Sequence, residues 1–329
     1  MNWTEATTLL NAAQRVIIVT HLSPDGDAIG TLLGLGHALR EQGKTVTVAV
    51  DDGVPANLQF LPGSDAVLPN LKDVQADLVI VVDCGDEARA GKVGKAARML
   101  AVPMINLDHH WSNPGFADVN LIDSSWTSAS EGVLDWLDAM NMPISRDTAQ
   151  CLLCGLVTDT LGFRTDSTKA DTLGKAQRLV ESGGNLSFII QHTLARMATS
   201  TLKLWAQVLP TVKIEDHVVW VTISIEARKA AGLNGKGSGD SKDGGLSSVL
   251  VQADDAYISC VMHERENDQV ELSFRGVPGF DTSTVAVAIG GGGHKLASGA
   301  TVKGTLAEVE ARVIPMLKAA VLAGSPISA

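Results

Sequence analysis

Short runs of β-branched residues alternate with stretches of helical periodicity through the first half of this chain, and few folds satisfy that pattern. Residues 16–20 (VIIVT) read as a buried strand. The following stretch, 27–42, sets Ile29, Leu32, Leu33, Gly36 and Leu39 on one side at helical spacing, and Gly43 closes it as a C-cap. Residues 45–50, 78–82 and 102–107 are further strands, with a helical stretch at 88–100 between the last two. Parallel strands need a long crossover, usually a helix, so this order predicts a parallel sheet with helices on both faces. Ser128-Ala-Ser-Glu131 has the form of a capping box opening a helix, and helices are expected over 145–161 and 168–182.

A helix over 196–210 leads into the second half. Strands are expected there at 218–225, 257–263 and 269–274, and helices at 245–252, 281–289 and 306–322. At 329 residues the chain exceeds what one core usually holds. The expected fold class is therefore α/β, with an N-terminal parallel-sheet domain over 1–195, a linker helix over 196–212 and a smaller C-terminal α/β domain over 213–329. The glycine-rich stretch 232–245 reads as a flexible surface loop, with a lid carrying Lys236 or Lys242 as the sharper alternative.

Charge and composition bound the function. A net charge of -11 argues against a protein that tracks long nucleic acid, because such affinity comes mostly from neutralising phosphates with basic residues. Small anionic substrates stay open, since bound divalent cations reverse the field locally. No apolar run approaches the ~20 residues that span a bilayer, and no secretory leader is expected from the first residues. Four cysteines, Cys84, Cys151, Cys154 and Cys260, make no disulfide framework for a chain of this size, so a cytoplasmic location is the natural reading.

Ligands of open parallel sheets bind at the carboxyl ends of the strands, and three expected strands end here in metal-ligating residue types. VIIVT runs into His21, Asp25 and Asp27; LVIVV runs into Asp83; PMINL runs into Asp108, His109 and His110. Asp159 lies in an otherwise apolar helical stretch, where a carboxylate needs a partner. Each group alone reads as a turn residue, a helix cap or a structural histidine. Together they bring oxygen and imidazole donors to one edge of one sheet. That donor set suits Mn²⁺, with Mg²⁺, Co²⁺ or Zn²⁺ as alternatives. Two ions about 4 Å apart can hold a phosphoryl group between them for in-line attack.

Four segments, HLSPDGDAIG, VVDCGD, NLDHH and GLVTDTLGFR, resemble in order and spacing the motifs of the DHH phosphoesterase family, whose name is spelt by Asp108-His109-His110. LSFRG and GGGGHKLASGA resemble the DHH-associated C-terminal domain. The layout is similar to the stand-alone nanoRNase and pAp-phosphatase branch. The resemblance implies that 1–195 is the catalytic metal-binding domain and 213–329 the substrate-binding one. It implies that His21 and Asp25 hold one metal, that Asp27, His109 and Asp159 hold the other, and that Asp83 bridges them. Asp108 would orient a ligand, and His110 would contact the scissile phosphate or protonate the leaving oxygen.

In the second half, the glycines at 290–293 let a backbone approach a ligand closely, and successive N–H groups can form an anion nest. As a bare pattern the run fits a linker equally well; the resemblance makes Gly291, Gly292, Gly293 and His294, with Arg275 as a phosphate fork, the expected substrate clamp. The remaining candidates read as structural. Cys151-Leu-Leu-Cys154 suits core packing, as does Cys84, and His37, His192, His217 and His263 suit surface or packing roles. Trp111 is open between a base contact and burial, and Arg164 between a phosphate contact and none.

These readings converge on two-metal hydrolysis of very short oligonucleotides, linear dinucleotides or a 3',5'-nucleotide bisphosphate (pAp), in a cleft between domains. The alternatives are a cyclic-dinucleotide phosphodiesterase, a RecJ-like single-strand exonuclease and a catalytically silent nucleotide sensor. Expected partners are a short oligonucleotide or nucleotide, with no long duplex and no membrane; monomer and homodimer both stay open.

Overall fold

The computed structural model describes residues 3–233 and 244–326. The chain forms two compact units, Met1–Arg196 and Met197–Ala329. The first runs α1 (Trp3–Ala12), β1 (Arg15–Val19), α2 (Gly26–Glu41), β2 (Thr45–Ala49), β3 (Leu78–Val82), α3 (Gly91–Arg98), β4 (Met104–Asp108) and β5 (Val119–Ile122). Helices α4 (Ala129–Ala139), α5 (Arg146–Asp159), α6 (Ala170–Glu181) and α7 (Leu186–Thr193) complete it.

The five strands stand in the order β2-β1-β3-β4-β5, and every pairing is parallel. Strand side chains alternate between faces. Val16, Ile18, Ile80, Val82, Ile105 and Leu107 join a core with residues of α1, α2, α4 and α5. Ile17, Val19, Val79 and Val81 face the opposite way, into a core with Val93 and Ala97 of α3. Helices thus cover both faces, as right-handed crossovers require when the chain steps from β1 to β2 in one direction and from β3 to β4 in the other. The reversal lies between β1 and β3, so a crevice is expected at their carboxyl ends. The strand β5, read from no sequence signal, is a four-residue edge (VNLI).

Two glycines let the α2 and α5 backbones meet. A Cβ on Gly30 would lie 2.5 Å from the Cys151 carbonyl oxygen, and one on Gly155 would lie 2.1 Å from Ser130 Oγ and 2.5 Å from Asp27 Oδ1. Cys151 and Cys154 belong to this packing and are fully buried. Burial pushes the Cys154 thiol up to about 12, which leaves it an inert packing group. The capping box expected at α4 is only half formed. Ser128 Oγ accepts from Glu131 N, but the Glu131 carboxylate takes Thr127 N and Oγ1 instead of Ser128 N.

The second unit contains α8 (Thr199–Val208), β6 (Lys213–Glu215), β7 (Val218–Ile223), α9 (Ile225–Ala230), α10 (Leu246–Leu250), β8 (Ile258–Arg265), β9 (Gln269–Gly276), α11 (Ser283–Ala288), β10 (Gly292–His294), β11 (Ala297–Lys303) and α12 (Leu306–Ala323). Its sheet runs β10-β11-β9-β8-β7-β6, antiparallel except for the parallel pair β7–β8. Within 196–212, expected to link two domains, α8 buries Leu204 and Val208 against Val219 and Val221 of β7. Lys236 and Lys242, the candidate lid residues, lie outside the described residues.

The glycine run folds into an edge hairpin. Gly292, Gly293 and His294 pair antiparallel with Gly299, Ser298 and Ala297. A Cβ on Gly291 would fall 2.1 Å from the Gly299 carbonyl oxygen, and Gly293 sits at φ +131°. Close backbone approach therefore accounts for glycine at these two positions.

Candidate metal centre

Three strand ends and two helix ends converge in the first unit. His21 follows β1, Asp83 follows β3, and His109 and His110 follow β4; Asp25 caps α2, Asp27 opens it, and Asp159 closes α5. Their donor atoms form three overlapping groups, each within 4.8 Å: His21, Asp25 and Asp83; Asp27, His109 and Asp159; and Asp83, Asp108, His109 and His110. Asp83 is common to both sides of the cluster. Its Oδ2 lies 3.4 Å from His21 Nε2 and its Oδ1 lies 3.4 Å from His109 Nε2. His109 Nε2 is also 3.4 Å from Asp159 Oδ2 and 3.9 Å from Asp27 Oδ2.

The supporting bonds fix each group. Asp27 is fully buried and accepts from Ala129 N at 2.6 Å, Ser130 N at 3.1 Å and Thr31 Oγ1 at 2.9 Å, so the amino end of α4 anchors it. Asp25 Oδ1 accepts from Asp27 N and Ala28 N as the α2 cap. His21 Nδ1 donates to the Leu22 carbonyl oxygen at 2.8 Å, and this bond orients the ring with Nε2 toward Asp83. Asp108, fully buried, holds His110 Nδ1 at 2.8 Å through Oδ1 and accepts from Asn113 Nδ2 at 2.7 Å through Oδ2.

Electrostatically the cluster is crowded with like charge. Burial and the neighbouring Asp83 carboxylate push Asp27 upward. Burial would also raise Asp83, but His109 and His21 outweigh it and hold Asp83 well below the usual carboxylate range. Burial works against a charged His109, yet Asp83, Asp27 and Asp159 together bring it up to about 10. Asp159 is raised well above the usual range, by burial first and then by Asp27 and Asp83.

A divalent cation fits this arrangement. Asp83 Oδ1 is buried and has no hydrogen-bond partner, a costly state unless a cation faces it. The imidazole–carboxylate separations of 3.4 Å exceed an ordinary hydrogen bond. Nitrogen and oxygen ligands about 2.1 Å from one ion lie roughly 3–3.5 Å from each other. Oxygen with imidazole is a donor set for Mn²⁺ and its neighbours.

The other expected site residues lie in the second unit. Arg275, on β9, donates from Nε to Ser248 Oγ at 3.2 Å and from Nη1 to the Phe274 carbonyl at 2.9 Å. Its strand partner is Ala297, which in turn pairs with His294, so Arg275 and the glycine hairpin share one sheet. Trp111 is 79% exposed, and Arg164 Nε donates to the Leu161 carbonyl. Sequence reasoning missed Thr31, Ser130, Asn113 and Arg89. Thr31 and Ser130 meet each other at 2.7 Å across 99 positions of sequence, and Asn113 acts through Asp108, five positions earlier, with no motif to mark it; Arg89 follows the VVDCGD segment by three positions and was legible there as a lone cation.

A family model described as the DHH family, N-terminal domain, matches residues 15–156. A bifunctional oligoribonuclease and PAP phosphatase NrnA from Thermus thermophilus is 30% identical over 293 residues, covering 88% of this chain and 84% of that protein. The protein of the same name from Bacillus subtilis is 25% identical over 302 residues, covering 91% and 93%. The crystal structure of an exopolyphosphatase-related protein from Bacteroides fragilis matches with a TM-score of 0.85 at 25% identity, over 97% of each chain.

Proposed function

The chain belongs to the DHH family, and from that premise we propose that it is a metal-dependent hydrolase of phosphoester bonds acting on very short oligonucleotides and on 3',5'-nucleotide bisphosphate. The observation that carries the reading is Asp83, a buried carboxylate with one oxygen toward His21 and the other toward His109. A carboxylate so shared suits two ions side by side. His21 and Asp25 would hold one, Asp27, His109 and Asp159 the other, with Mn²⁺ favoured by the donor set. When bound, the ions supply Lewis-acid activation of the phosphoryl group.

The chain's own residues do the rest. Asp108 accepts from His110 Nδ1 and orients the ring, and in the imidazolium form the Nε2–H would pass its proton to the departing oxygen, leaving a neutral ring protonated on Nδ1. Asn113 holds Asp108 from behind. Arg275 and the hairpin of Gly291, Gly292, Gly293 and His294 are proposed to bind the rest of the substrate, where a guanidinium and close-approaching backbone suit phosphate.

The relatives support the substrate class: NrnA of Thermus thermophilus and of Bacillus subtilis are named for oligoribonuclease and PAP phosphatase activities. No helix among the described residues is long and apolar enough to cross a membrane. All four cysteines are buried and unpaired, which favours a reducing compartment such as the cytoplasm. The test is a Mn²⁺-supplemented panel of pAp, a linear diadenylate, a cyclic dinucleotide, inorganic polyphosphate and a 20-nucleotide single strand. Fastest turnover of the diadenylate or pAp is expected. Preference for the cyclic dinucleotide, polyphosphate or the long strand would replace this reading with the corresponding alternative.

A further inference from the structure

Arg89 lies in the 3₁₀ turn Glu87–Ala90 that follows Asp83. Its backbone is pinned on both sides. The N–H donates to the Asp86 carbonyl at 3.0 Å, and the carbonyl accepts from Leu22 N at 2.7 Å, which ties the segment after β3 to the segment after β1. The side chain is exposed and reaches the metal centre, with Nη2 3.4 Å from His21 Nδ1. Since Nδ1 is already committed as a donor to the Leu22 carbonyl at 2.8 Å, two donors face each other there. The guanidinium is therefore placed beside the centre without spending its N–H groups on it.

Nearby carboxylates are engaged elsewhere. Asp86 accepts from Ala88 N, Glu87 pairs with Arg98 at 2.6 Å, and Asp51 accepts from Lys92 N and Val93 N. Among the described residues no carboxylate forms an ion pair with Arg89, in a chain whose net charge is -11. A charge count explains why such a cation belongs here. The candidate ligands include four carboxylates, Asp25, Asp27, Asp83 and Asp159, whose charge two divalent cations would only cancel. A phosphate ester approaching a neutral ligand set gains little net attraction, and a guanidinium at its rim supplies what is missing.

We propose that Arg89 binds substrate directly, holding a non-bridging phosphoryl oxygen beside the His21 edge of the metal centre. The proposal rests on the phosphoester reading above. Its test uses the full-length Mn²⁺-loaded protein as wild type, Arg89→Ala and Arg89→Lys, with three readouts: bound metal, affinity for inorganic phosphate, and kcat/KM on a linear diadenylate. Bound metal should be unchanged in both variants. Phosphate affinity and kcat/KM should fall about 10- to 100-fold in Arg89→Ala, the scale of a charge-assisted hydrogen bond, with partial recovery in Arg89→Lys. Unchanged phosphate affinity in Arg89→Ala, or loss of metal in either variant, overturns the proposal; the second outcome would make Arg89 a support for His21. Should the wild type cleave none of the substrate panel while phosphate affinity still depends on Arg89, the functional reading fails and the phosphate contact stands.

Discussion

Asp83 sits at φ +50°, in the left-handed region that non-glycine residues rarely occupy. Backbone strain of this kind costs of order 1–3 kcal/mol and is retained where a side chain must point one way. Here it delivers a buried carboxylate between two imidazoles. Asparagine tolerates the same backbone region but cannot neutralise a cation, so Asp83→Asn should keep the fold by circular dichroism. It should lose metal affinity by more than about 100-fold, beyond the effect of altering a residue that only supports a ligand, and turnover should go with it. Full metal content in that variant would remove Asp83 from the centre. His110→Ala should behave oppositely. Metal content should hold while kcat falls ~10²–10⁴-fold, the usual worth of general acid–base catalysis, and Asn113→Ala should show a smaller loss of the same kind. The carboxylates and histidines at the strand ends were legible because each follows an apolar strand. Ser130 and Thr31 were not, since their meaning lies in contacts such as Ser130 N to Asp27, 103 positions apart in sequence, and Thr31 to Ser130, 99 apart; Asn113 was not, because an asparagine five residues past Asp108 reads as an ordinary turn residue.

Helix packing sets the geometry that those residues need. The Gly155 contact places α5 so close to Asp27 and Ser130 that a methyl group must displace one of them. Gly155→Ala should therefore destabilise the protein by about 1–3 kcal/mol by overpacking, and should weaken metal binding as Asp27 shifts. Gly174→Ala is the control. Gly174 lies exposed in α6 with nothing within 4 Å of its Cβ position, so alanine should add about 0.5–1 kcal/mol of helix stability. Urea midpoints and bound metal measure both. At the opposite, amino ends of the strands, Asp77 accepts from Gln14 N and Arg15 N and pairs with the Arg15 side chain, joining the starts of β1 and β3. Those bonds hold Asp77 down to about 2. A depressed carboxylate stabilises the fold above the unfolded-state value near 3.9 and stops doing so as pH falls toward 2. The stability gap between wild type and Asp77→Asn should be constant above pH 5 and should close progressively below pH 4. A gap that persists at low pH would mean packing, and not charge, is what Asp77 supplies. The strands β1, β3 and β4 were plain from their apolar runs, whereas β5, β6 and β10 have four, three and three residues, too few for any periodicity to register.

At the scale of the whole molecule, net charge decides how the protein treats a long substrate. Binding a nucleic acid strand along its length draws most of its free energy from counterions released by basic residues, and each neutralised phosphate steepens the dependence on salt. A chain with 37 acidic and 26 basic residues is a poor surface for that. The proposed contacts with phosphate are few and local: the metal centre, Arg89, and Arg275 with the glycine hairpin. A dinucleotide or trinucleotide carries so few phosphates that a few local contacts of this kind suffice for it. A longer strand gains nothing further from its remaining nucleotides and meets repulsion from the acidic surface. We therefore expect kcat/KM to fall as length increases from two or three nucleotides to twenty. The salt slope of kcat/KM should be no steeper for the 20-nucleotide strand than for the dinucleotide. Arg275→Ala should lower kcat/KM for the shortest substrates by roughly 10- to 100-fold, as a charge-assisted bond implies, and should flatten the preference for them. Measuring the length ladder at two salt concentrations for both proteins separates the possibilities. A rate that rises with length, with a slope that steepens in step, would reveal a basic track along the protein and favour a processive exonuclease.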